Sequence, residues 1–355
     1  MKYMTAKEAA EKWNISQRRV AVLCTEKRIE NAEMLGNMWL IPKDAEKPQD
    51  ARSLRYLDDK KIKPFLKWAG GKSQILETIK QNFPVGFGET IRKYAEPFVG
   101  GGAVLFEILA NYDLDEIMIA DINRELVNSF VVVRDNVDEL IDLLGSMQDE
   151  FLPLSTEDRK EYYYNKRELF NKLKQDESNS MSVALAALFI FLNKTCFNGL
   201  YRVNSKGGFN VPMGAYKNPL ICDIENLQLI SQKLQKVKIV CGDYRESAAF
   251  IDENTFVYFD PPYRPLNTTS SFTSYNEVVF TDCNQEELAE YINLLNERQA
   301  KILLSNSDPK NYDEEDNFFD DLYANYNIKR IEATRMINSK STGRGKIKEL
   351  LISNF

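Results

Sequence analysis

The sequence predicts an α/β fold: a doubly wound sheet, interrupted by a helical insertion and preceded by a small separate module. Three observations carry this. Short apolar runs at Lys93 to Glu96, Glu116 to Ala120, Lys238 to Cys241, Thr255 to Phe259 and Lys301 to Leu304 read as strands, with a helix at Val104 to Tyr112 between the first two. From about Asn128 to Leu234 the pattern turns helical and polar, with tyrosines at 162, 163 and 164, as for an insertion between the halves of such a sheet. Residues 1–52 carry a complete small pattern of their own.

In that first stretch, Thr5 and Glu8 form a capping box ahead of a helix through about Trp13. Asn14-Ile15-Ser16 reads as a turn with Ser16 as the next N-cap, and Gln17 to Lys27 as a second helix. Asn31 to Leu35, Gly36-Asn37 and Met38 to Ile41 read as a hairpin. Two helices and a hairpin make a winged helix-turn-helix pattern. Arg18 and Arg19 open its candidate recognition helix and are expected to meet DNA. The alternative is a helical cap that touches no DNA. Residues 53–63 read as a linker, 64–127 and 235–355 as the sheet domain, and 128–234 as the insertion.

With 355 residues, 43% hydrophobic and 28% charged, the chain is expected to be soluble and globular. No apolar run reaches the length of a membrane span, and Met1 to Ala10 lacks the apolar core of a signal peptide. Five scattered cysteines with no CxxC pair point to reduced thiols in a cytoplasm, not to disulfides or zinc. Histidine is absent, which excludes Ser-His-Asp and Cys-His catalysis, HExxH metalloproteases and HxE zinc deaminases. The net charge of −7 conceals local excesses of base. Residues 1–63 hold 14 Lys/Arg against 10 Asp/Glu, and the windows Phe191 to Leu220 and Ala333 to Lys348 contain bases and no acid. Such windows suit phosphate.

Glu96-Pro97-Phe98-Val99-Gly100-Gly101-Gly102 follows a strand and opens a helix, and Asp121 ends the next strand. Glycines allow a tight turn and close backbone approach, and an acid at that place accepts hydrogen bonds from ribose hydroxyls. These features fit any nucleoside-bearing cofactor. Trp68-Ala69-Gly70-Gly71-Lys72-Ser73 imitates a P-loop, but Leu66 stands where its first glycine belongs and no strand precedes it. Asp260-Pro261-Pro262-Tyr263 directly follows an apolar strand and so falls at the carboxyl end of the sheet, where ligands bind. Its prolines remove two N–H donors and leave carbonyls free. Asp260 and the Pro261 carbonyl can each accept an N–H of an exocyclic adenine amine, so that the nitrogen lone pair points at a methyl sulfonium. Tyr263 can stack on the base, and a base in a duplex must flip out to arrive there.

Phe65-Leu66-Lys67-Trp68-Ala69-Gly70-Gly71-Lys72, Glu96 to Gly102, Asp121-Ile122-Asn123, Asp243-Tyr244, Asp260 to Tyr263, Phe272-Thr273-Ser274-Tyr275 and Leu304-Ser305-Asn306 occur in one order. Together they resemble the Dam-type (D12 class) DNA adenine-N6 methyltransferases from about Pro64 to Phe355. The first 52 residues lie outside the resemblance. It implies a Rossmann-like methyltransferase sheet that uses S-adenosylmethionine, yields S-adenosylhomocysteine and needs no metal. Trp68, Ala69, Gly70, Lys72, Glu96, Pro97, Phe98, Gly100, Gly102, Asp121, Ile122, Asp243, Tyr244 and Asp260 would hold that cofactor. Asp260, Pro261 and Tyr263 would be catalytic.

Asn193 to Pro219 is similar to the family's DNA-contacting segment. Lys67, Asn198, Leu200, Arg202, Pro212 and Tyr216 match positions that read or wedge the duplex. One departure is Gly214-Ala215-Tyr216 where many relatives have Gly-Arg-Tyr, which removes an arginine suited to a phosphate. The resemblance implies double-stranded DNA as partner, GATC as the target site, a monomer in a bacterial cytoplasm associated with the nucleoid, and a cognate restriction endonuclease as a candidate partner. The rival readings are a cytosine-N4 methyltransferase, a DNA-binding regulator with a relic methyltransferase fold, and an NAD-dependent oxidoreductase.

Overall fold

The computed structural model describes residues 3–355 except 14–16, 26–28, 30, 37, 44, 46–61, 69, 177–180, 265–279 and 335–345. Ser16, Ala69, most of the linker, Phe272 to Tyr275, and Arg335, Lys340 and Arg344 of the second basic window therefore lie outside the described residues, as do the side chains of Arg18 and Arg19. The chain divides into two compact units, residues 1–61 and 62–355.

The first unit runs β1 (Tyr3–Thr5), α1 (Ala6–Trp13), α2 (Gln17–Thr25), β2 (Glu33–Leu35) and β3 (Met38–Pro42). Thr5 caps α1 by accepting from the Glu8 N–H at 3.3 Å, and the Glu8 carboxylate accepts from the Thr5 N–H in return. The hairpin pairs Leu35 with Met38, and Gly36 takes the left-handed backbone that its turn requires. β1 adds an antiparallel strand on the far side of β3, a pairing too short and too distant in sequence to read from local pattern. Ala9, Trp13, Val20, Cys24 and Ile41 form its core.

The second unit is built on a seven-stranded sheet. Its strands are β4 (Lys93–Glu96), β5 (Glu116–Asp121), β6 (Val237–Cys241), β7 (Thr255–Phe259), β8 (Lys301–Ser307), β9 (Asn327–Thr334) and β10 (Lys346–Ser353), in the spatial order β6-β5-β4-β7-β8-β10-β9. The first five in that row are parallel, and β10 runs antiparallel to both its neighbours. β4 has β5 on one side and β7 on the other, so the order reverses there and a crevice opens at the carboxyl ends. β9 and β10 were not among the strands expected from sequence. The apolar residues of β9 do not alternate and its charges mark an edge, while β10 is defined by pairing with β8 across some forty residues.

Helices cover the sheet. α3 (Leu76–Lys80) and α4 (Ala103–Asn111) accompany the first half, and α10 (Asp282–Glu297) and α11 (Phe318–Leu322) the second. Leu288, Ile292 and Leu295 of α10 and Phe319 of α11 pack with Val257, Phe259, Ile302, Leu304 and Leu350 in one core. Between β5 and β6 come α5 (Arg124–Asp135), α6 (Val137–Phe151), α7 (Thr156–Gln175), α8 (Val183–Thr195) and α9 (Ile224–Leu234). α5 packs on β5 and β6, so the sheet layer extends past residue 128 before the chain leaves it. α8 is largely apolar and buried, and it leads into a segment, 196–223, without α-helix or strand apart from the 3-10 turn Phe197–Gly199.

One side chain fastens that segment to the sheet domain. Buried Asn193 of α8 accepts from the Lys67 N–H at 2.8 Å, and its amide donates to the Lys67 carbonyl at 2.7 Å and the Gly199 carbonyl at 3.1 Å. Asn193→Ala takes the partner from these three backbone groups, and should cost about 2–4 kcal/mol. Chemical denaturation of the two proteins measures it, and an unchanged midpoint would mean that the clasp carries no stability.

Candidate active site

Four adjacent parallel strands, β6, β5, β4 and β7, each lead at their carboxyl ends to an acid: Asp243, Asp121, Glu96 and Asp260. The pairing of Lys93 with both Glu116 and Thr255 brings the loops after β4 and β7 to the same edge. Placing carboxylates together in a partly closed crevice opposes their ionisation. Burial pushes the Glu96 carboxyl well up, against a 2.8 Å hydrogen bond from the Tyr94 hydroxyl and helped by the charge of Asp260. Burial raises Asp121 to about 6, although its oxygens accept from the Gly100 N–H at 3.1 Å and the Asn123 N–H at 2.9 Å.

The glycine loop is shaped by its neighbours within the protein. A Cβ at Gly100 or Gly101 would stand 2.9 Å or 2.8 Å from Trp68, whose indole lies over the loop. Trp68 stacks in turn on Tyr201 of the insertion, ring centroids 5.9 Å apart. Gly102 takes a left-handed backbone at the start of α4. Beside the loop, Pro97 is buried and Phe98 packs between Tyr244 and Phe280. The buried Tyr244 hydroxyl has no hydrogen-bond partner among the described residues. Ile122 is 59% exposed next to Asp121, and Asp243 caps the short 3-10 turn Tyr244–Ser247 through the Arg245 N–H.

Asp260 is the centre of the crevice. Lys72, itself buried, reaches its Oδ1 at 2.7 Å and the Gly70 carbonyl at 2.8 Å. Ser305 of β8 donates to the same Oδ1 at 3.0 Å and shares a 2.9 Å bond with the Tyr258 hydroxyl. Burial raises the Asp260 carboxyl, while Lys72 and Ser305 favour its charged form. Both partners take Oδ1, so Oδ2 is unengaged among the described residues. The two proline carbonyls also differ. That of Pro262 accepts from the Gln285 amide at 3.1 Å, whereas that of Pro261 accepts no bond from a described residue. Tyr263 turns its ring to the Lys72 ammonium, 4.5 Å from the centroid, and its hydroxyl donates to Glu349.

The insertion supplies a second surface. Lys67 is exposed, with its ammonium 4.0 Å from the centroid of the Tyr216 ring. Gly199 is left-handed and leaves no room for a Cβ, which would lie 2.4 Å from Lys67 Cβ, and Asn198 before it is left-handed too. Leu200 is half-buried, Pro212 is exposed and accepts from the Phe197 N–H, and exposed Arg202 donates to the Asn210 side chain at 2.7 Å.

Lys67 and Tyr216 thus meet directly, as do Lys72, Asp260 and Tyr263. Sequence reasoning missed Asn193 as a clasp, and missed Gln285, Tyr258 and Glu349. Only Ser305-Asn306 gave a hint, because Asn306 joins Gln285 at 3.3 Å. Among the described residues no helix is long and apolar enough to cross a membrane, and no cluster of His, Cys, Asp and Glu is arranged to hold a metal.

Comparison with known proteins agrees with this geometry. A family profile described as D12 class N6 adenine-specific DNA methyltransferase matches residues 68–337. The type II methyltransferase M.MjaIII of Methanocaldococcus jannaschii is 53% identical over 296 residues, 83% of this chain and 99% of that enzyme. M1.LlaDCHI of Lactococcus lactis subsp. cremoris is 39% identical, over 83% of this chain and 96% of its own. The DNA adenine methylase of Escherichia coli K12 is 37% identical, over 82% and 95%. These matches set aside the cytosine-N4, relic-regulator and oxidoreductase readings, and the chain belongs to the D12 class of N6 adenine-specific DNA methyltransferases.

Proposed function

We propose that this adenine-specific methyltransferase takes its methyl group from S-adenosylmethionine and delivers it to an adenine flipped out of duplex DNA, with GATC as the target. One observation carries the catalytic part: among the described residues Asp260 Oδ2 and the Pro261 carbonyl are the acceptors left open, while Asp260 Oδ1 and the Pro262 carbonyl are already engaged. Two open acceptors suit the two N–H bonds of an adenine amine. Accepting both steers the nitrogen lone pair out of the ring plane. Lys72 and Ser305 hold Asp260 in place from its other oxygen and favour the charge that strengthens its bond to the amine. As positive charge grows on the nitrogen, the ionised Asp260 stabilises it and stands ready to hold the departing proton.

The residues present fit this cofactor. Its cationic sulfonium and ammonium suit an edge that gathers Glu96, Asp121, Asp243 and Asp260, whereas the pyrophosphate of NAD would be repelled there. Asp121 is placed to accept from ribose hydroxyls, Ile122, Phe98 and Tyr244 offer apolar and aromatic surface, and Asp243 offers a carboxylate for an adenine amine. Trp68, Gly70, Lys72, Pro97, Gly100 and Gly102 belong to the same approach, and Ala69 joins them on the resemblance alone. When bound, the cofactor supplies an electrophilic methyl group and leaves as S-adenosylhomocysteine. No metal is required by any residue role proposed here.

For DNA, Lys67, Asn198, Leu200, Arg202, Pro212 and Tyr216 form the reading surface. Arg202 suits a guanine edge, and Leu200 and Pro212 suit a thymine methyl. Residues 1–52 add a winged helix-turn-helix module that touches DNA through Arg18 and Arg19, outside the catalytic domain (64–127 and 235–355) and its target-recognition insertion (128–234). The enzyme acts as a cytoplasmic monomer. The relatives named type II methyltransferases support a restriction endonuclease as its companion.

Asp260→Ala should lower kcat about a hundred- to a thousandfold. Methylation of plasmid DNA, with the product identified as N6-methyladenine by mass spectrometry, checks this, and a near-normal rate would sink the mechanism. The same plasmid, sequenced for methylated positions, tests GATC directly.

Asp121 binds the cofactor as a carboxylate, so affinity should fall as acid protonates it. With Asp121 raised to about 6, binding of S-adenosylmethionine at pH 5 should be about tenfold weaker than at pH 7. Calorimetric titration reads this, and Asp121→Asn should flatten that part of the pH profile. A wild-type affinity that stays level between pH 5 and 7 would refute the role.

Deleting residues 1–52 should weaken DNA binding and make it less dependent on salt, while methyl transfer at saturating DNA continues at the same rate. Unchanged affinity across a salt series would remove the module from the DNA interface.

A further inference from the structure

Tyr263 is fixed from two directions. Its chain neighbour Pro262 is held through the carbonyl by Gln285, and its own hydroxyl donates at 2.7 Å to Glu349 Oε2. Glu349 lies in the middle of β10, opposite Ser307 of β8 and Ile331 of β9, so its backbone is pinned on both sides. The residues that follow it, Leu350, Leu351 and Ile352, are buried and apolar. An acid in such a strand, aimed at a tyrosine 86 residues away, points to a task beyond sheet formation. Burial, aided by the charges of Asp260 and Glu349, pushes the Tyr263 phenol well up, so it remains a donor.

The ring that Glu349 holds faces the reacting centre. Lys72 lies 4.5 Å from the Tyr263 centroid and 2.7 Å from Asp260, which places the aromatic face and the catalytic carboxylate around one small space. A tyrosine held only by its backbone would sample other rotamers, and each would move the surface against which a base must lie. Hydrogen bonding to an ionised acceptor is stronger than to a neutral one and sets the direction of the ring.

We propose that Glu349 is a positioning residue for methyl transfer: by holding the Tyr263 hydroxyl, it fixes the ring that presents the target adenine to Asp260. Glu349 touches no reacting atom, and its effect passes through Tyr263. Presetting the ring spares the complex from ordering it when the base arrives, which favours the reactive geometry over binding in general. The assignment rests on the reading above, in which the adenine lies between Asp260 and Tyr263.

The test compares full-length wild type, Glu349→Leu, Glu349→Gln, Tyr263→Phe and the Tyr263→Phe/Glu349→Leu double variant. Each is assayed for transfer of labelled methyl groups from S-adenosylmethionine to plasmid DNA, with melting temperatures alongside. Glu349→Leu and Tyr263→Phe should each lower kcat about tenfold. KM for S-adenosylmethionine should stay within about twofold, because the loss arises after binding. The double variant should be no slower than the slower single one, since both remove the same bond. Glu349→Gln keeps an acceptor and should recover most of the rate. A wild-type kcat in Tyr263→Phe, or losses that multiply in the double variant, overturns the assignment. Tyr263→Phe removes a single oxygen, so it decides the matter even where Glu349→Leu does not fold. A wild-type protein that leaves plasmid adenines unmethylated would overturn the underlying reading instead, and is distinguished by that control alone.

Discussion

Keeping a carboxylate charged inside a closed crevice is the constraint around which this molecule is arranged. Burial favours the neutral form of Asp260. Lys72 and Ser305 oppose that pressure at the same oxygen, one from the segment before the sheet and one from β8. Placing Lys72 there requires the turn at Gly70, whose carbonyl it also meets. That turn adjoins Trp68, which must lie flat on Gly100 and Gly101, and so those positions exclude any larger residue. Trp68 in turn leans on Tyr201, and the Lys67 backbone is clasped by Asn193. The glycine loop after β4, the Asp260–Tyr263 turn and the insertion are thereby joined by contacts that begin at one buried carboxylate.

The same logic explains the division of labour between neighbouring acceptors. Asp260 has two oxygens and the prolines two carbonyls, and the described residues engage one of each. Gln285 and Ser305 thus determine which of these acceptors are occupied within the protein. Prolines make this selection clean, because neither contributes an N–H that would compete.

Much of this was legible in the sequence. Strands β4 and β7 could be bounded to the residue, because short apolar runs ended at Glu96 and Asp260 and turn-forming residues followed. Asp121 was legible from its distance to the glycine loop. What escaped was whatever depends on contacts between distant residues. β10 reads locally as a short apolar run after a basic stretch, and only its partner β8 makes it a strand. Trp68 appeared as a cofactor residue, while its contact with the glycines and Tyr201 needs three dimensions to see. Tyr263 was read as free to stack, and its tether to Glu349 crosses a quarter of the chain. Asn193 sat in plain view at the start of a basic segment, but a side chain that bonds only to backbone leaves no pattern in sequence.

The position of β10 has a further meaning for how the protein comes into being. This strand follows every other strand in sequence, yet it slots between β8 and β9 and not at an edge. Its pairing with β8 closes a loop of some forty residues, which makes it slow to form relative to local structure such as the hairpin with β9. Until it docks, β8 and β9 each present an unpaired edge, and Tyr263 lacks its tether. The Asp260–Tyr263 turn therefore gains its last described tether only when β10 has joined the sheet, so local order around the glycine loop and order at that turn are separable events.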